Sequence, residues 1–67
     1  MITYDPLWKT MKEKGITTYT LRRKWNISGG TIDRLRKNQH ISTYTIDILC
    51  NLIDCDVEDV MKQIRDK

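Results

Sequence analysis

The stretch from Thr17 to Asn38, TTYTLRRKWNISGGTIDRLRKN, constrains this chain most. In it two helical patterns follow each other with neither a proline nor a long loop between them. Thr17 can cap the first pattern, in which Leu21 and Trp25 lie one turn apart. Ser28 caps the second, in which Ile32 and Leu35 fall three apart on one side. Asn26 tolerates the left-handed backbone that a sharp turn between them needs, and Asn38 can close the second helix. So short a join brings the two helices across each other. Leu21, Trp25, Ile27, Ile32 and Leu35 are then buried between them, and the outer face of the second helix is left free.

The same spacing recurs on both sides. Asp5-Pro6 reads as a helix start, a capping carboxylate followed by proline at the first helical position. Leu7, Trp8 and Met11 share one face of that helix, and Gly15 supplies the left-handed residue that ends it. Further on, Ser42 or Thr43 opens a fourth helix, whose Ile46, Leu49, Cys50 and Ile53 occupy i, i+3, i+4 and i+7. Asp56 caps a fifth, with Asp59 in its first turn and a stripe of Val57, Val60, Met61 and Ile64. No alternating strand pattern persists beyond a few positions. The expectation is one all-α domain of five short helices over residues 1–67.

A core this small is marginal, so capping and association with a partner should matter. No apolar run approaches the roughly 20 residues of a membrane span. The N-terminal MITYDPLWKT has no charged region followed by an apolar one, so it does not read as a secretory signal. A cytoplasmic protein is expected. The net charge of +3 is unevenly spread. Residues 1–40 hold nine Lys and Arg against three acids, whereas residues 41–67 hold three against six. A front of +6 and a back of −3 suggest that only the front meets a polyanion.

With these patterns in place, the chain resembles the Cro and phage-repressor helix-turn-helix family, also called the xenobiotic-response-element type. The likeness runs from the first helix through Val60. It is carried by Leu21, Ile27-Ser28, Thr31-Ile32, Leu35, the run Ser42-Thr43-Tyr44-Thr45-Ile46, and Asp56-Val57-Glu58-Asp59-Val60. The opening ITYDPLW and the segment LIDCDVEDVM resemble a compact branch of stand-alone regulators. The resemblance implies a five-helix, lambda-repressor-like fold with the helix-turn-helix at helices 2 and 3. It also implies dimeric binding to double-stranded DNA, and often autoregulation. Three features depart from the family pattern: Arg22 where a small residue usually follows the buried Leu, Asn26 where the turn usually has Gly, and the pair Gly29-Gly30 where base-reading side chains usually stand.

Family position assigns the roles. Thr18 and Ser28, at the starts of helices 2 and 3, are expected to bond phosphate oxygens. Thr31, Asp33, Arg34 and Lys37 are the outward positions of the recognition helix, with Gly29 and Gly30 at its tip. Arg34 is the best base reader, because its fork matches guanine O6 and N7. Asn38, Gln39 and His40 continue a polar corner from Lys37, and Arg22, Arg23 and Lys24 add positive charge beside it. A homodimer interface is expected from Ile2, Tyr4, Val60, Met61 and Ile64, since small repressors gain stability by pairing.

Other chemistries fit less well. Trp8 and Trp25 could stack on bases, but aromatic side chains readily fill small cores. Cys50 and Cys55 are five apart, which matches no common zinc spacing, and read as reduced thiols in or near the core. Asp54, Asp56, Glu58 and Asp59 lack the turn glycine and distal Glu of a calcium loop. No cofactor, metal or small-molecule substrate is expected. Nor is an enzyme, for neither a nucleophile–base pair nor a phosphate-cradling glycine loop is present. The alternative function on the same fold is a protein-binding module, a phage-encoded inhibitor or antitoxin-like partner.

Overall fold

A computed structural model describes residues 1–65. Asp66 and Lys67, counted above in the acidic half, lie outside it. The described chain is mostly helical: α1 (Asp5–Glu13), a π-helix (Thr20–Lys24), α2 (Gly29–Arg36) and α3 (Thr43–Ile53). Short strands β1 (Ile2–Thr3) and β2 (Lys62–Gln63) pair antiparallel, with Ile2 opposite Gln63 and Thr3 opposite Lys62.

Most helix ends sit where the local chemistry puts them. Ser28 and Ser42 cap α2 and α3, each accepting from the backbone N–H three residues on, at 3.1 Å. Gly15, Asn26 and Asn38 all adopt positive φ, as chain reversals at those points require. At α1 the expectation is off by one residue. Tyr4 is the capping position, Asp5 is already helical, and the Asp5 N–H is satisfied by Thr3 Oγ1 at 3.2 Å.

The expected fifth helix is corrected to a single 3₁₀ turn, Val57–Asp59, so the helices number four among the described residues. The Asp56 N–H does donate to Asp59 Oδ2 at 3.1 Å, as a helix start would have it. The chain then extends, because the N-terminal strand offers it hydrogen bonds. Ile64 N–H donates to the Met1 carbonyl at 2.7 Å, and the Met1 amino group donates back to the Ile64 carbonyl at 2.9 Å. Branched Val57, Val60 and Ile64 have little helical preference to set against that non-local pairing.

The core gathers Tyr4, Leu7 and Met11 from the N-terminal part, Leu21 from the π-helix, and Ile32 and Leu35 from α2. Ile46, Leu49 and Ile53 of α3 join them, with Val60 beyond the turn. Trp8, Trp25, Ile27, Cys50 and Cys55 pack half-buried against it. No described helix is long and apolar enough to cross a membrane.

Candidate nucleic-acid interface

The second helix begins with Thr17, whose Oγ1 accepts from the Thr20 N–H at 3.3 Å. It then widens, with Trp25 N–H reaching back five residues to the Thr20 carbonyl at 3.1 Å. Leu21 is fully buried beneath it, while Arg22, Arg23 and Lys24 are exposed. Asn26, at φ 58°, turns the chain so that Ile27 N–H bonds the Leu21 carbonyl at 2.8 Å. This seven-to-one closure is one residue wider than the usual helix-ending bond, as the π-helix before it is, and again a left-handed residue reverses the backbone. Ser28 follows at once as the cap of α2.

With Ile32 and Leu35 turned inward, α2 divides its outer surface between two clefts. One is lined by Thr18, Tyr19, Arg22, Arg23, Gly29, Ile32 and Arg36. Three guanidinium groups therefore border a hollow beside the first turn of α2, and no carboxylate lines it. The other is lined by Thr31, Arg34, His40, Ile41, Ser42 and Thr45, and so joins the middle of α2 to the capped start of α3. Arg34 Nη2 donates to Thr31 Oγ1 at 3.3 Å, which holds the guanidinium along the helix surface. Asp33, an acid on a surface otherwise rich in base, is paired with Lys37 at 3.1 Å. That exposed pair adds little stability but mutes the negative charge.

Seven of the residues singled out in the sequence thus line these two clefts: Thr18, Arg22, Arg23 and Gly29 the first, Thr31, Arg34 and His40 the second. Two others serve the fold. The Asn38 side-chain oxygen accepts from the Tyr4 N–H at 3.0 Å, and the Gln39 carbonyl accepts from the Tyr4 hydroxyl at 2.9 Å. They tie the end of α2 to the N-terminal strand. Burial pushes the Tyr4 hydroxyl above its ordinary range, offset in part by a hydrogen bond from the Ile41 backbone, so it stays a donor.

The glycine pair separates. A Cβ on Gly29 would stand 2.6 Å from Arg22 Nη1, whereas one on Gly30 would meet only Arg34 Nη1 at 3.7 Å. The missing side chain at Gly29 thus leaves room for the Arg22 guanidinium. Two departures from the family pattern, a large residue at 22 and none at 29, fit each other. Sequence reasoning missed Tyr19 and Arg36. Arg36 stands seven residues, two helical turns, after Gly29 on α2, and that spacing was the available signal.

The expected dimer surface does not assemble as a helical stripe. Tyr4 and Val60 are 2% and 0% exposed and belong to the protomer's own core, which corrects their assignment to an interface. Ile2 and Met61 are half-buried, and Ile64 is exposed. With β2 extended, Met61 and Ile64 border different clefts.

A family profile for the Cro/C1-type helix-turn-helix DNA-binding domain matches residues 6–66. Among solved structures, the transcriptional regulator VanUg in crystal form II is similar at 25% identity. It superposes with a TM-score of 0.87 over 97% of this chain and 87% of that one. No curated protein matches the sequence.

Proposed function

We propose that this chain, which belongs to the Cro/C1-type helix-turn-helix DNA-binding family, is a cytosolic transcription regulator that binds duplex DNA as a homodimer and represses by occupying a promoter. The observation that carries this reading is the pair of clefts flanking α2. Arg22, Arg23 and Arg36 border one, and Arg34 with His40 borders the other. Two phosphate runs on either side of a major groove would meet these clefts, with α2 between them. In this docking Thr18, Arg22, Arg23 and Arg36 hold backbone phosphates. Ser28 and His40 sit at the edges of the same footprint. Thr31 and Arg34 face base edges, and Gly30 stands beside them in the first turn of α2.

The similar VanUg structure is that of a transcriptional regulator, which supports the same role here. The proposed two-fold contact draws on Ile64 and on Met1 across the ladder from it, both exposed and apolar, with Ile2 beside them. Selection of bound sequences from a random duplex pool tests the reading. The wild type should return a short motif repeated at half-sites about 34 Å apart. Arg34→Ala should lose preference at one base pair per half-site and about 1–3 kcal/mol of affinity. Lys24→Ala, away from the base edges, should weaken all sequences alike. Recovery of no motif by the wild type would contradict sequence-specific binding.

A further inference from the structure

We propose that Cys50 and Cys55 form a redox dithiol, a modification site that closes to an intramolecular disulfide by exchange with a small disulfide such as glutathione disulfide. The backbone sets up the pair. At the end of α3, Asp54 turns left-handed, with φ and ψ both 60°, and Cys55 N–H bonds the Cys50 carbonyl at 3.0 Å. This six-to-one closure brings the side chains at its two ends against each other, and here both ends are cysteines that line one cleft. Lys14 Nζ donates to the Asp54 carbonyl at 3.0 Å, so the turn that apposes the thiols is also held from the α1 side.

A small reagent has a way in. Both cysteines are half-buried and line an open, largely apolar cleft with Ile41, Ile46, Val57 and Met61. In the first step one thiolate attacks a sulfur of glutathione disulfide, forming a mixed disulfide and releasing one glutathione thiolate. The second cysteine then attacks the mixed disulfide and releases the other. Overall, one protein dithiol and one glutathione disulfide give one protein disulfide and two glutathione thiols. Burial pushes both thiols up from their ordinary range. Asp47, Asp56 and Asp59 add to the rise at Cys50, and Asp59 and the neighbouring thiol add to it at Cys55, with Lys14 opposing. The resting pair is therefore protonated at neutral pH, and exchange should quicken about tenfold per pH unit below the thiol pKa. Only four residues separate the two cysteines, so the cross-link is a local brace on the joint between α3 and the 3₁₀ turn rather than a large stabiliser.

The test equilibrates the full chain in glutathione buffers from reducing to oxidising, quenches with a thiol alkylator and weighs the product. Wild type should come out two hydrogens lighter, monomeric and unalkylated under oxidising conditions. Cys50→Ser and Cys55→Ser should each stop at the mixed disulfide, one glutathione heavier. Three results would overturn the proposal. They are a wild type that carries two glutathiones, one that migrates as a disulfide-linked dimer, and one that keeps both thiols open to alkylation under buffers that close the pair in denaturant.

Discussion

At Gly29 an added Cβ would stand 2.6 Å from Arg22 Nη1, close enough that the guanidinium must move aside. At Gly30 the nearest atom would be an ordinary contact at 3.7 Å. The two glycines, adjacent and alike in the sequence, should therefore answer the same substitution differently. Gly30→Ala should raise stability by about 0.5–1 kcal/mol, the usual helical gain over glycine, with DNA affinity unchanged. Gly29→Ala should gain less and weaken DNA binding severalfold, because Arg22 leaves the basic cleft. Denaturation curves and gel shifts on the two variants check this, and identical behaviour would show that Gly29 does not seat Arg22. Both departures were visible in the sequence as oddities. Their coupling was not, because the path of a long side chain over a neighbouring helix leaves no trace in residue spacing.

Turns and caps followed local chemistry closely. Asn26, Ser28, Asn38 and Ser42 all do what their side chains or their tolerance of positive φ suggested. Asn26 matters most, since it sets how the π-helix hands over to α2. Asn26→Ala should cost about 1–2 kcal/mol, the penalty for a left-handed residue with an ordinary Cβ. Asn26→Gly should change stability little. Equal melting of the two variants would remove φ at this position as the cause. The C-terminal segment was read less well. Its stripe of Val57, Val60, Met61 and Ile64 has helical spacing, yet only Val60 is fully buried. The partner that pulls Lys62–Gln63 into a strand lies some sixty residues earlier, at Ile2–Thr3, and no local window contains both. Likewise the π-helix differs from an α-helix by one residue in its hydrogen-bond step, which hydrophobic spacing over five residues does not resolve.

Across the whole molecule, the excess of base in residues 1–40 becomes a surface: the arginines gather around α2 and the π-helix. Among the described residues, Asp54, Asp56, Glu58 and Asp59 lie at the end of α3 and in the 3₁₀ turn, and Asp56 with Asp47 of α3 borders the apolar cleft. That polarity was legible from charge counting alone. The expected dimer stripe was not, because it depended on a helix that proved to be a 3₁₀ turn followed by a short strand. On the revised surface, Ile64→Asp should shift sedimentation toward monomer and weaken DNA binding, and a dimer that survives it would place the contact elsewhere. The central claim is that the arginine-lined side of α2 meets DNA phosphates. Its most direct test is the affinity for a duplex carrying the selected motif, followed by fluorescence anisotropy as salt is raised. With about six phosphates neutralised per dimer, affinity should fall roughly 10³-fold between 50 and 200 mM salt, whereas an affinity that stays flat over that range would contradict it.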